Sequence, residues 1–415
     1  MGASDRGAPQ RSEERSVNQP RRHESIRKVG VIGAGVMGAG IAAHCANAGV
    51  PVVLLDIVPG GAARAVETML RADPAPFMQR SAARLVTPGN LETDLGLLAD
   101  CDWICEAIVE RLDAKRDLYA KLDGVRKPGS IVSSNTSVHQ AAGAIRMGAG
   151  EAFARDFLIT HFFNPPRYMR LLEVVQGPAT RADAVAAISD FADRQLGKTV
   201  IPCKDRPGFI ANRIGGLWMQ SAINHAFDMG LSVEEADAAM GRPIGVPKTG
   251  VFGLLDLVGI DLMPHVAASM KATLPADDAY VLGLREHPLI MRLIKEGRTG
   301  RKGGKGGFYT RTRDAEGKTV RRAIDLATGE DRPEARVTLE SLELRDLRQV
   351  AEHPDRGGRY VRAVLLETLS YAASLVPEIA DSVADVDAAM RLGYAWRWGP
   401  FELIDKLGAA WLAQA

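Results

Sequence analysis

From Lys28 onward, short β-branched runs alternate with alanine-rich stretches of helical period. Segments 29–33, 52–56, 103–108, 131–134, 157–161 and 171–175 have the length and composition of strands. Strands and helices in that alternation imply a parallel sheet with helices on both faces, reaching to about residue 203. After Pro207 the strand pattern stops. Residues 209–230 and 260–297 read as helices separated by Gly and Pro breaks. A turn-rich stretch from 297 to 333 follows, with a hairpin expected around 314–317, and a second helical block opens near Leu339. Residues 1–27 are polar, with Arg and Glu interspersed, and bury too little to order themselves, so they read as a mobile tail.

The two helical blocks resemble each other. SVEEADAAM from Ser232 and GVFGLLDLVG from Gly250 are echoed by SVADVDAAM from Ser382 and GPFELIDKLG from Gly399. Asp237 aligns with Asp387, Met240 with Met390 and Asp256 with Asp405. Two matched segments in the same order point to duplication rather than to chance likeness of amphipathic helices.

Composition narrows the class. The chain has 415 residues, enough for two or three cores, and a net charge of +1, which gives no reason to expect a nucleic-acid partner. No apolar run approaches the length of a membrane span, and the N-terminus lacks the apolar region of a signal peptide. The cysteines, Cys45, Cys101, Cys105 and Cys203, have no metal-ligand spacing and read as reduced, buried thiols of a cytoplasmic protein; no metal is expected.

The first chemical motif is Gly33-Ala34-Gly35-Val36-Met37-Gly38, which follows a strand and opens a small-residue helix. The first glycine permits a tight turn, the second lets a pyrophosphate approach the backbone, and the third lets helix and strand pack closely. The helix N-terminus offers free N–H groups and a positive dipole end to phosphate. A second strand ends at Asp56, ~20 residues on, where a carboxylate accepts hydrogen bonds from ribose hydroxyls and repels a 2′-phosphate. NAD is therefore the expected cofactor, bound by a Rossmann-type domain.

The most informative stretch runs from His161-Phe162-Phe163-Asn164-Pro165-Pro166 to Leu171-Leu172-Glu173-Val174-Val175. One apolar strand delivers His161 at its end, the prolines turn the chain, and a second strand brings Glu173 back. A carboxylate inside LLEVV faces a burial cost unless it has a partner, and His161 is the obvious one. Hydride transfer from a secondary alcohol needs such a pair: imidazole takes the hydroxyl proton, and a carboxylate at the other ring nitrogen fixes the tautomer. A lone histidine there would read as structural; the pairing makes it a candidate base. Two polar clusters read less sharply. Ser134-Asn135-Thr136-Ser137 fits either a strand-end turn or a ligand edge, and Asp205–Arg213 either a linker and helix start or a cleft wall bearing Asn212.

Together, GAGVMG, EAIVE, SNTS, HFFNPP, LLEVV, DRPGFIANR and the GPFELID helix resemble the 3-hydroxyacyl-CoA dehydrogenase family, in order over roughly residues 28–410. The resemblance implies His161 as base and acid with Glu173 orienting it, and Ser137 and Asn212 as donors to the substrate oxygen. It also implies NAD contacts from Asp56, Glu110, Lys115 and Asn135, although Glu110 and Lys115 taken alone would pass as the solvated start of a helix. The expected fold is a Rossmann-type α/β domain followed by two related all-α domains. The expected divisions are a tail (1–27), the NAD-binding domain (28–205), a helical substrate domain (206–310), a linker with a hairpin (311–338) and the second helical repeat (339–415).

The PAPF and TPGN segments and the HFFNPPRYMRLLE wording are similar to bacterial members fused to an enoyl-CoA hydratase, which implies a hydratase as associated partner or fused domain. Oxidation of an L-3-hydroxyacyl-CoA thioester, as in fatty-acid β-oxidation, is the expected activity. The competing readings are a non-catalytic NAD-binding protein and a dehydrogenase of free β-hydroxyacids; the latter uses a lysine base, against which HFFNPP-to-Glu argues. Because each block carries an apolar face, the second is expected to cover the first, giving a monomer by internal pseudo-dimer.

Overall fold

The computed structural model describes residues 26–137, 150–313 and 316–415. An eight-stranded sheet is built from β1 (Val29–Ile32), β2 (Val52–Asp56), β3 (Val86–Asn90), β4 (Trp103–Glu106), β5 (Ile131–Ser134), β6 (Phe157–Phe162), β7 (Leu171–Gln176) and β8 (Thr199–Cys203). Its order is β3-β2-β1-β4-β5-β6-β7-β8. The helices α1 (Val36–Asn47), α2 (Gly61–Met69), α3 (Leu112–Asp123), α4 (Glu151–Arg155) and α5 (Ala182–Arg194) connect these strands. The order reverses between β1 and β4, and such switch points bind ligands at the carboxyl ends of the strands.

All six expected strands form, and two more join them. β3 and β8 are the sheet's edges, and both contain proline: Pro88 in VTPGN and Pro202 in TVIPC. Turn-forming residues hide such strands in the sequence, and proline is tolerated there because an edge leaves a donor position unused. The sheet is also not wholly parallel. β7 runs antiparallel to β6, and β8 follows it in parallel. The short connection after Phe162 allows only an antiparallel return, since a parallel one needs a crossover of a dozen or more residues.

Beyond the sheet lie α6 (Ala211–Asp228), α7 (Val233–Ala239), α8 (Phe252–Val258), α9 (Leu262–Thr273), α10 (Ala279–Leu282) and α11 (Pro288–Lys295). The helix expected over 260–297 is thus three, broken near Pro275 and restarted at Pro288. The expected hairpin forms as β9 (Tyr309–Arg313) and β10 (Thr319–Ile324), extended by β11 (Asp331–Pro333); residues 314–315 at its tip lie outside the described residues. The second block holds α12 (Leu347–Glu352), α13 (Arg356–Ser374), α14 (Val383–Gly393), α15 (Pro400–Leu407) and α16 (Ala409–Gln414). The end of the expected tail is pinned: Ile26 is buried, and the Arg27 and Lys28 N–H groups both donate to Asp102. Residues 1–25 lie outside the described residues.

The duplication is visible in hydrogen bonds. Asp237 accepts from the Phe252 and Gly253 N–H groups at the start of α8, and Asp387 accepts from Phe401 and Glu402 at the start of α15. The glycine before each helix is forced, since a Cβ on Gly250 or Gly399 would lie 2.4 or 2.3 Å from the Asp Cα. The third aligned pair diverges. Asp256 is buried and accepts from the Phe308 and Tyr309 N–H groups, whereas Asp405 is exposed.

α6 is the axis of the helical region, and α13 packs along it. The Tyr360 hydroxyl donates to the Ala222 carbonyl, Ser221 donates to Glu367, and Trp218 meets Trp396 edge-on at 5.4 Å. Arg213, 1% exposed, is clamped by Tyr371, Asp278 and the Pro207 carbonyl. A buried guanidinium persists only with its donors matched in this way. Among the described residues, no single helix is long and apolar enough to cross a membrane.

Candidate active site

β6 and β7 create the first pair. His161 and Glu173 are direct partners in the antiparallel register, so their side chains leave the same face. Nδ1 of His161 lies 2.7 Å from Glu173 Oε2. Glu173 is fully buried, and its other oxygen accepts from the N–H groups of Ile210 (3.1 Å) and Ala211 (2.9 Å), which open α6. One carboxylate therefore orients the imidazole and caps the first long helix of the helical region; the helix dipole favours its charge. With Nδ1 taken, Nε2 is the ring atom left for chemistry. Phe163 and Phe209 stand edge-on to the imidazole at 4.6 and 5.7 Å. Phe209 has a φ of +47°, strained for a non-glycine residue, beside the site.

Ser137 and Asn212 are tied to this pair through backbone. The Ser137 carbonyl accepts from the Gly208 N–H at 3.1 Å, and Asn212 follows Ala211, whose N–H Glu173 holds. Asn135 bridges the strand ends, its Oδ1 accepting from the Phe162 N–H at 2.8 Å. The loop leading from His161 to Glu173 is tethered by Lys198, whose ammonium donates to the Pro166 and Met169 carbonyls. Burial lowers the Lys198 pKa to about 8.

The glycine loop fits a dinucleotide. Gly33 has a φ of +98°, and a Cβ on it would lie 2.5 Å from the Ala107 carbonyl oxygen. A Cβ on Gly38 would lie 1.8 Å from the Gly33 oxygen, whereas one on Gly35 would meet nothing within 4 Å. The open side at Gly35 is the approach a pyrophosphate requires, and exposed Val36 and half-buried Met37 begin the helix beside it. Asp56 ends β2 and accepts from the Ala34 and Val58 N–H groups, so it also fastens the loop. A cavity of about 130 Å³ at the switch point is lined by Met37, Glu106, Glu110, Lys115, Asn135 and Thr136, among others.

Lys115 corrects one expectation. It is no solvated helix residue but is 2% exposed, its ammonium shared among both Glu106 oxygens, Ser134 Oγ and Glu110. Glu110 is exposed and accepts from Thr136 Oγ1. Glu106, which the sequence reading did not single out, is the hub: it also accepts from Tyr119, Ser134 and the Ile108 N–H. Its signal was available, a carboxylate in the apolar run WICEAI, the same argument that identifies Glu173. His44 has a structural setting, with Nε2 3.0 Å from the Leu196 carbonyl and burial lowering its pKa to about 4. All four cysteines are buried and unpaired, and among the described residues no cluster of side chains could hold a metal.

A doubly wound sheet with a phosphate-binding glycine turn, and a His–Glu pair at the junction with a helical region, define a nucleotide-dependent dehydrogenase architecture. Residues 28–206 match the 3-hydroxyacyl-CoA dehydrogenase NAD-binding domain, and residues 208–311 and 358–415 match the C-terminal domain of the same family. The chain belongs to the 3-hydroxyacyl-CoA dehydrogenase family. It is 43% identical over 300 residues to a probable 3-hydroxyacyl-CoA dehydrogenase of Deinococcus radiodurans, covering 71% of this chain and 85% of that protein. It is 38% identical over 386 residues to a putative fatty acid oxidation complex trifunctional enzyme of Rickettsia felis, covering 91% of this chain and 53% of that protein. The chain spans about half the length of the first curated relatives it matches. In fold it is similar to the crystal structure of 3-hydroxybutyryl-CoA dehydrogenase from Escherichia coli K12, with a TM-score of 0.71 at 24% identity, over 94% of this chain and 93% of that one.

Proposed function

We propose that this chain oxidises L-3-hydroxyacyl-CoA thioesters to 3-oxoacyl-CoA. The observation that carries the reading is the buried His161–Glu173 pair at the carboxyl edge of the sheet, next to a glycine turn suited to NAD. Bound NAD supplies the hydride acceptor. His161 Nε2 takes the proton from the substrate's 3-hydroxyl as hydride leaves C3, and returns it in the reverse direction. Glu173 keeps the Nδ1 proton in place and stabilises the imidazolium. Ser137 and Asn212 donate to the substrate oxygen, which gathers negative charge during reduction. Asp56, Asn135 and Glu110 line the cofactor's path, and Lys115 acts through Glu110 and the strand ends.

The second helical block occupies the apolar face of α6, so we read the chain as a monomer by internal pseudo-dimer. The resemblance of the PAPF, TPGN and HFFNPPRYMRLLE segments to hydratase-fused bacterial members makes an enoyl-CoA hydratase the natural partner, and four reduced thiols suit a cytoplasmic setting in fatty-acid oxidation. NADH oxidation by the purified protein with acetoacetyl-CoA, against free acetoacetate, tests the reading. Turnover is expected with the thioester and not with the acid; equal rates with both, or turnover of neither, would reject it.

A further inference from the structure

We propose that Tyr394, supplied by the second helical block, is a positioning residue that fixes the side-chain amide of Asn212 for the substrate oxygen. The proposal rests on the reading of Asn212 as a donor to that oxygen, and it makes the second block part of the active site rather than only a cover for α6.

Tyr394 is the C-cap of α14, and its hydroxyl donates to Asn212 Oδ1 at 3.5 Å. In this arrangement the phenol hydroxyl occupies the acceptor end of the amide. Both N–H groups of Nδ2 then remain for a ligand oxygen, the orientation a donor to the substrate needs. Burial first, and then the nearby Glu173 carboxylate, push the Tyr394 phenol well above its usual range, so it stays protonated as a donor.

The ring's seat is built into α6. Gly215 lies three residues beyond Asn212, on the same helix face. A Cβ there would lie 2.1 Å from Tyr394 Cζ and 2.4 Å from its Oη. Glycine inside a helix is less favourable than alanine, so helix stability is given up where the phenol lies on the backbone. The segment after Tyr394 is clamped. Ala395 has a φ of +55°, a conformation a non-glycine residue keeps only when its surroundings impose it. Trp396 meets Trp218, the Arg397 N–H donates to the Gly245 carbonyl at 2.7 Å, and Trp398 covers Gly245 so closely that a Cβ there would lie 2.4 Å from the indole. These contacts hold in place the segment that follows the phenol.

The test compares Tyr394→Phe, Asn212→Ala and the double variant in acetoacetyl-CoA reduction, with kcat, NADH KM and melting midpoint measured for each. Tyr394→Phe is expected to lower kcat about three- to ten-fold, the range of one neutral hydrogen bond, with NADH KM and melting midpoint unchanged. In the Asn212→Ala background it is expected to lower kcat no further, because the amide it orients is gone. Gly215→Ala, which displaces the ring but keeps the hydroxyl, is expected to lower kcat in the same way and serves if Tyr394→Phe fails to fold. Wild-type kcat in Tyr394→Phe or Gly215→Ala, or losses that multiply in the double variant, would overturn the proposal while leaving the role of Asn212 standing. Wild-type kcat in Asn212→Ala would overturn both.

Discussion

Two buried carboxylates at strand ends do different work because their partners differ. Glu173 is matched by an imidazole and two backbone N–H groups, while Glu106 is matched by an ammonium, two hydroxyls and one N–H. The first holds the imidazole by Nδ1; the second ties β4, β5 and α3 together at the wall of the switch-point cavity. Lys115→Met would leave Glu106 buried without its cation, and a loss of about 3–5 kcal/mol is expected in chemical unfolding. Adding Glu106→Gln should restore part of it, since the uncompensated charge is then removed. The histidine pair could be read from sequence because a charge inside LLEVV demanded a partner and His161 stood nearby. The Lys115 network was less legible: its partners come from three elements, and the start of α3 looks polar and solvated in one dimension. Tyr394 was invisible for a similar reason, since 182 positions separate it from Asn212.

At the scale of elements, the two blocks repeat one device: an aspartate from one helix caps the next. Burial pushes Asp237 up to about 7 against the hydrogen bonds from Tyr309, Phe252 and Gly253 that oppose the rise, and Asp387 up to about 6. A folded-state pKa above the ordinary carboxylate value means the protonated form is favoured by folding. The contribution of Asp237 is thus full below about pH 4 and is lost as pH rises through 7. Thermal melts from pH 4 to 8 should show wild type losing stability relative to Asp237→Asn as pH rises through this window. A gap between the two that is flat or widens in favour of wild type would contradict the assignment. The repeat itself was legible because both blocks keep Ser, Asp and the glycine before the second helix. The split of residues 260–297 into three helices was not, because apolar spacing continues across the breaks and only the prolines mark them. The edge strands β3 and β8 were lost for the opposite reason, their Pro and Gly reading as turns.

At the scale of the molecule, the sheet supplies the dyad and the glycine loop, α6 supplies Asn212 and is capped by Glu173, and α13 and α14 pack on α6. α6 buries Leu217, Trp218, Ala222 and Ile223 in this arrangement, and each large apolar side chain returned to water costs about 1.5–3 kcal/mol. Ending the chain near residue 335 would also strip Arg213 of Tyr371 and Ser221 of Glu367. Light scattering should find the full chain monomeric and the shortened one dimeric or aggregated. A full chain that dimerises through α6, or a shortened one that remains a well-behaved monomer, would contradict the internal pseudo-dimer. The sheet-then-helices plan was plain from the pattern of apolar runs. The contact of the second block with the site was not, since amphipathic periodicity marks a face for burial without naming what covers it.

The central claim is that the imidazole at the end of β6 carries the proton while the glycine loop holds the cofactor independently of it. The most direct measurement is steady-state reduction of acetoacetyl-CoA by wild type and His161→Asn, with NADH binding titrated in parallel. The expected result is a kcat lower by ~10²–10⁴-fold in the variant with NADH affinity unchanged. Turnover by His161→Asn close to that of wild type would contradict the account.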